Sequence, residues 1–480
     1  ANNPATGHYS VRHRHIDKTH FTLYAYGERF VIDSGFGADK PGAHNIILID
    51  GKGQAWDEKY MWSSGTIEEQ VSGDFCDYVH GDATDAYNRM WAVDGATDGT
   101  ARDTVDWFCN PVLNADRMVT FIRGDGLPPY FVIADDINKD GAVHEYKWLL
   151  HTACGIEVGD SIVLHGSTND MNIYVVSPTE YWITQSMYTP EFIPCPLFGD
   201  SLPSDTTQSA HHLLGVHCNA VNPYYQLVLF PHKAGLEVPT VTADSIANGR
   251  CAKVAWSTAT DYNILKTGEG ISEDWLSTNA KICLISEDLD SSVTKFMMAE
   301  GTNLRMRGIL LVDTFGDTGS VVNSGAKVVI NSKTPNQFKV YAPEATELMV
   351  NDTSVSFYRV GNYIYYPGVA GNMEEDATVS GLLYVSGDVT VDSGVTLTIQ
   401  PGTTLKFASG TKLIVKGALI AEGTEADQIA FTSAQASPDE GDWMWIEFSP
   451  GSENTNVLRY CIIEWASIGI WCNNASPTFG

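Results

Sequence analysis

No stretch of this chain approaches the ~20 consecutive apolar residues that a membrane-spanning helix needs, so no helical span is expected. Basic residues are scarce: 29 Lys and Arg stand against 59 Asp and Glu, a formal net charge of −30. That balance argues against nucleic acid and anionic membrane surfaces as partners. Any anionic substrate must then be held by a local positive patch. The cysteines number nine, an odd count, and include no CxxC. They form neither a disulfide framework nor a zinc-finger pattern. Helical periodicity is rare. No leader segment is visible and the chain starts at Ala1 without Met, so it reads as an excised or mature fragment.

What is present is β-structure. Hydrophobic content of 43% and charged content of 18% mark a globular chain, and 480 residues predict two to four domains. Aromatic and β-branched runs alternate between Gly, Asp and Asn turns. Residues 8–56 predict a hairpin through Phe21–Tyr26 and Phe30–Asp33, then a strand Ile46–Ile49. Further strands are expected at Arg117–Arg123, Tyr130–Ala134, His144–His151, Ile162–His165, Tyr225–Phe230 and Ala280–Ser286. Their spacing suggests a large antiparallel β-sandwich (a supersandwich) over 1–300. A small β-module over 301–367 is expected to close or follow it, and 368–379 is a linker by composition.

From 380 the pattern changes. Val389–Val391, Leu397–Ile399, Leu405–Phe407 and Leu413–Val415 recur every eight residues between Gly or Pro-Gly turns. Three short strands per ~24 residues is the rhythm of a parallel β-helix, expected over 380–480 as a partial solenoid. It ends in ASPTFG without a polar cap, so the natural protein is expected to continue beyond Gly480. The fold class is therefore all-β.

The chemistry concentrates at the start, in GHYSVRHRHIDKTHF. His8, His13, His15 and His20 are four of 13 histidines, and Arg12, Arg14 and Lys18 sit among them. Such an island can hold an anion or a metal, or move protons at neutral pH. On a strand, His13, His15 and Asp17 share one face. Asp33 ends the next strand and His44 opens the one after. Three adjacent strands would bring His15, Asp33 and His44 to one point. A His₂–carboxylate set suits Zn²⁺ and leaves a fourth position open. The alternative is a group of surface or internally satisfied histidines.

HRHIDKTHFTLYAYGERFVIDSGFG followed by HNIILIDGKGQ resembles the opening of the β-sandwich domain in heparinase II/III-like polysaccharide lyases. DYVHGDATDAY (77–87), the segment 115–152 and YYQLVLFPHK (224–233) extend the likeness over about 1–300. The resemblance implies an N-terminal (α/α) toroid paired with the sandwich, and a zinc held by His15, Asp33 and His44. It implies a catalytic histidine at His13, with Arg12 and Arg14 as substrate-binding candidates, although alternation puts both on the face opposite His13. It also implies β-elimination on a uronic-acid polymer. That reaction needs a base for the C5 proton, an acid for the leaving oxygen, and positive charge near the developing enolate.

Two departures matter. The toroid, which supplies further catalytic groups in the family, is missing from this chain. FGADKPGA, between Asp33 and His44, also lacks the tyrosine that some members carry there. The expected function is the sandwich portion of a lyase that is incomplete without its toroid. The expected partners are that domain and an anionic polysaccharide, and the expected address is periplasmic or extracellular. The alternative is a non-catalytic carbohydrate-binding or cell-surface protein on the same scaffold. A zinc hydrolase fits less well, because no Glu sits beside the ligands as an obvious base.

The remaining motifs read as structural. Asp136, Asn138, Asp140 and Gly141 copy half an EF-hand loop, but Lys147 stands where Glu is required; a hairpin turn is expected. Arg123-Gly124-Asp125 reads as a turn. His151, His211, His212 and His217 read as structural, and DWMWIEF (442–448) as buried solenoid residues.

Overall fold

The computed structural model describes residues 2–3, 8–9, 17–34, 41–54, 65–88, 110–124, 127–189, 210–333 and 337–480. The chain forms two compact units, residues 1–269 with 283–293, and residues 270–282 with 294–480. The architecture is nearly all β; among the described residues the one α-helix is Thr84–Asn88.

The first unit is a sandwich. Its larger sheet runs in the order Gly155–Val158, Ile162–His165, Asn169–Ser177, Tyr225–Lys233, Tyr130–Asn138, Asn114–Ile122, Cys76–Asp82, Thr66–Ser72. Its smaller sheet runs Trp182–Tyr188, His211–Ala220, His144–Thr152, Ile47–Ile49, all antiparallel. Strand alternation turns Tyr146, Trp148, Leu150, Leu214 and Val216 inward from the small sheet. They meet Ile133, Ile173, Tyr225, Leu227 and Leu229 from the large one. The opposite face of the small sheet keeps the chemistry-bearing residues. The expected first hairpin is present as Leu23–Ala25 with Glu28–Val31. Its turn is Tyr26-Gly27, with φ of 51° and 86°. Positive φ at both central residues is the type I′ requirement, which Gly meets without a Cβ clash.

In the second unit, one antiparallel sheet orders Ile271–Ser272, Leu276–Thr278, Asn303–Met306, Ile309–Asp313, Phe338–Tyr341, Tyr363–Tyr366 and Tyr358–Val360. The boundary expected at 300 therefore lies within a unit that already starts with 270–282. From Val369 the chain winds as parallel coils. Leu383, Leu405, Phe431 and Ile463 stack as one inward ladder. Val389, Leu413, Ile446 and Ile470 form a second. Val379, Ile399, Ala421 and Leu458 form a third, with the exposed Phe479 in register beyond it.

The segment read as a linker, 368–379, is instead coil. Val369–Met373 pairs in parallel with Leu382–Val391, and Ala377–Val379 with Thr396–Ile399. Its acids, which gave it a linker composition, occupy the turn. Glu374 pairs with Arg305, the Asn362 amide donates to Glu375, and the Thr396 amide donates to Asp376. Trp443 is fully buried and stacks on Phe407 at 4.2 Å, as the solenoid reading of DWMWIEF expects. The EF-hand-like run is a turn closed by amide donors to Asn138 and Asp140.

Candidate functional site

Three loops of the sandwich converge. The first is a turn, Asp17–His20, closed by the His20 amide on the Asp17 carbonyl at 2.9 Å, with Thr19 at φ 61°. Gln54 pins it from both sides: the Lys18 amide donates to its Oε1 at 2.9 Å, and its Nε2 donates to the Lys18 carbonyl at 2.7 Å. The second loop carries Asp33 just after the strand Glu28–Val31, with the Ile32 amide donating to the His151 carbonyl. The third carries His44 after the 3₁₀ turn Pro41–Ala43.

One buried residue ties all three. The Asn45 side-chain amide donates to the Phe21 and Ile32 carbonyls at 2.8 and 2.9 Å, and its Oδ1 accepts from the His151 amide at 2.6 Å. Beneath it lies a buried ion pair, Arg117 Nε to Asp135 Oδ1 at 2.6 Å, with the Trp148 indole N–H on the same carboxylate. The Arg117 guanidinium also donates to the Thr19 carbonyl at 2.9 Å and the Asn45 carbonyl at 2.6 Å. It thus fixes the residues beside His20 and His44. Burial raises the Asp135 carboxyl against the opposing pull of Arg117.

His20, Asp33 and His44 bring one donor atom each to within 4.8 Å of one another. Asp33 Oδ2 lies 3.3 Å from His44 Nδ1 and 3.3 Å from His20 Nε2. Tetrahedral zinc with bonds of 2.0–2.1 Å separates its donors by about 3.3 Å. Asp33 and His44 therefore fit a divalent cation in donor type and spacing.

His20 does not fit in the same way. Its Nε2 is buried and makes no hydrogen bond, which alone would suit a ligand. The Asn45 backbone N–H, however, donates to His20 Nδ1 at 2.9 Å. A neutral ring accepting at Nδ1 carries its proton on Nε2, so no lone pair is left there for a metal. Metal-bound histidines show the opposite arrangement, donating from the second nitrogen. Burial, opposed by Asp33, lowers His20 to about 4 and keeps it neutral. As hydrogen-bonded here, His20 presents an N–H toward the Asp33 carboxylate.

The third donor of the expected set, His15, lies outside the described residues, as do His13, Arg12 and Arg14. Asp17 is described, in the turn rather than on a strand face. The strand alternation used to group it with His13 and His15 does not carry through to His20.

Beside Asp33 lies a second polar group that the sequence left as separate structural histidines. Ser34 Oγ is 3.4 Å from both His151 Nδ1 and His211 Nε2, and those two nitrogens are 2.8 Å apart. His151 Nε2 must donate to the Gly42 carbonyl, 3.0 Å away. The neutral His151 ring therefore accepts at Nδ1 from His211 Nε2–H. Burial, then His211, push His151 down to about 3. Tyr188 packs edge-on against His151, with centroids 4.9 Å apart. The available signal was alternation: His211, Gly215 and His217 share one strand face, and in register that face also holds Lys147 and His151.

No family model matches this chain, and no curated protein matches it significantly. Among solved structures, it is similar to a heparan sulfate lyase mutant from Pedobacter heparinus at 10% identity and TM-score 0.35, over 55% of this chain and 37% of that one. It is similar to heparinase III at 12% identity and TM-score 0.36, over 57% and 36%. A heparinase III gene product aligns at 13% and 0.35, over 59% and 38%. The chain spans less than two-fifths of the length of each.

Proposed function

We propose that the sandwich is the metal-bearing half of a polysaccharide lyase that cleaves uronic-acid polymers by β-elimination, working with a helical toroid. The observation that carries this reading is the convergence of Asp33 and His44 on one locked site, at the positions where the family-like motif of the first 55 residues calls for ligands. His15, Asp33 and His44 are the proposed ligands of Zn²⁺. When bound, the ion would cross-link the N-terminal segment to the two loops and stabilise their fold.

The chain's own groups then act as follows. Arg117 and Asn45 hold the three loops in register. His20, with Nε2 3.3 Å from Asp33 Oδ2, packs against the carboxylate from the first loop. His13 is the proposed proton-transfer group, with Arg12 or Arg14 against the substrate carboxylate. A base takes the C5 proton, and the electron pair of the broken C5–H bond becomes the C4–C5 double bond. The C4–O bond breaks, and the leaving oxygen takes a proton from an acid. A polymer-sized substrate suits a periplasmic or extracellular address.

The test is to incubate the full-length gene product with alginate, heparan sulfate, chondroitin and hyaluronan, following the ultraviolet absorbance of the unsaturated uronate. The reading expects a rise on one of these, abolished by His13→Ala. No rise on any, with polymer still bound, would replace it with a carbohydrate-binding protein on a lyase-like scaffold.

A further inference from the structure

The same sheet face that carries His151 and His211 continues to an open end, six residues along the strand from His211 to His217, or ~20 Å at the usual rise. We infer that this end is a binding subsite for a uronate-bearing sugar, separated from the metal-ligand loops by several sugar units; the inference rests on the lyase reading above.

The built features are specific. His217 is held at both nitrogens: Nδ1 is 2.9 Å from Glu145 Oε1, and Nε2 is 2.8 Å from Thr184 Oγ1. The Glu145 carboxylate can only accept, so Nδ1–H donates to it, and in that neutral tautomer the threonine hydroxyl donates to Nε2. This leaves the hydroxyl's lone pairs toward solvent as acceptors. The immobilised ring carries the Trp182 indole stacked on it, with centroids 5.1 Å apart and planes 20° apart. Trp182 is 42% exposed, so much of the indole beyond the stack meets solvent. An apolar aromatic plane of this kind suits the C–H face of a pyranose ring, with polar groups at its rim.

The rim supplies the charge. Lys147 sits opposite His217 in register and is half-buried. Among the described residues, no ion pair or hydrogen bond occupies its ammonium. Its stem lies over Gly215, where an added Cβ would meet Lys147 Cε at 2.5 Å, Thr184 Oγ1 at 2.7 Å and His217 Nε2 at 2.9 Å. Gly215 therefore leaves the space in which these three groups assemble. A half-buried, unpaired cation in a chain of net charge −30 is complementary to a carboxylate, and a compact ammonium suits a single one. Glu145 is engaged by His217 and makes no pair with Lys147.

Binding is read separately from cleavage. Size-defined, saturated oligosaccharides of alginate, heparan sulfate, chondroitin and hyaluronan, from disaccharide to octasaccharide, are titrated calorimetrically into the full-length protein and its variants. Trp182→Ala is expected to weaken the longest bound oligosaccharide roughly tenfold, and to leave disaccharide binding at the metal end unchanged. Lys147→Ala should weaken it by a smaller factor that shrinks with added salt, and Lys147→Arg should restore part of the loss. Gly215→Ala, which removes no sugar-contacting group, should act like Trp182→Ala. If the wild type binds and none of the three weakening variants changes the affinity, the subsite is wrong and the lyase reading stands. If the wild type binds none of these sugars, the lyase reading itself fails and takes the subsite with it.

Discussion

The parallel coils from Val369 onward and the small antiparallel sheet of the sandwich are both buried β-structure, but their order is written differently. In the coils each inward residue stacks on its equivalent one turn later, so Leu405 meets Phe431 and Leu413 meets Ile446. The repeat that builds the core is local. In the sandwich the decisive contacts join residues 60 to 177 apart, as in His151–His211 and Ser34–His211. Coil stability is accordingly a sum of similar apolar steps. The sandwich instead concentrates stability and site geometry in a few buried polar hubs. Those hubs are costly to break, because a buried group that loses its partner keeps its desolvation cost.

Mutations can break or sharpen this contrast. The largest effect is expected from Arg117→Ala, which strands the Asp135 carboxylate. Losing one partner of a buried ion pair costs ~3–5 kcal/mol, and urea unfolding of the first unit should show it along with reduced metal affinity. Phe431→Ala should cost about as much, ~3–4 kcal/mol, by leaving a cavity in the coil stack. Metal content unchanged in that variant would mark its effect as confined to the coils. Asn45→Ala should cost ~1–3 kcal/mol for its unpaired partners. It should also weaken metal binding ~10–100-fold, as changes around ligands do, and competition with a chelator would measure this.

The acid response comes next. His151, held at about 3 when folded against 6.5 in its ordinary state, binds its proton in the unfolded chain first. Its stability contribution is therefore full above pH 6.5 and is lost as pH falls toward 3. Thermal melts of the first unit should fall through that window, and His151→Phe should flatten the slope. A slope unchanged by the substitution would remove His151 from the account. The smallest effect is expected at the exposed Arg459–Glu422 pair on the coils. Arg459→Ala should change stability by less than ~0.5 kcal/mol.

What could be read in advance follows the same division. The solenoid strands were legible because Leu397–Ile399, Leu405–Phe407 and Leu413–Val415 repeat in sequence what they do in space. The antiparallel strands were legible one by one; Ile162–His165 in the first unit and Tyr363–Tyr366 in the second have the expected bounds. Glu374, Glu375 and Asp376 misled, because acids that cap a coil turn have the composition of a linker. At the site, the meeting of Asp33 with His44, 3.3 Å apart, could be expected from their strand-end and turn positions. His20 was not placed, because the Thr19 turn breaks the alternation that sorted its neighbours. Ser34, His151 and His211 were not grouped, because their meeting depends on the register of strands far apart in sequence.

The most direct test of the central claim is the zinc content of the purified protein and of four variants, measured by plasma mass spectrometry after dialysis. The account predicts roughly one zinc per chain, lost in His15→Ala, Asp33→Ala and His44→Ala. His20→Gln, which keeps a side-chain N–H donor, should retain it. Absence of zinc from the wild type, or zinc that survives loss of Asp33 or His44, would contradict the site. Zinc lost with His20→Gln but kept with His15→Ala would make His20 the ligand.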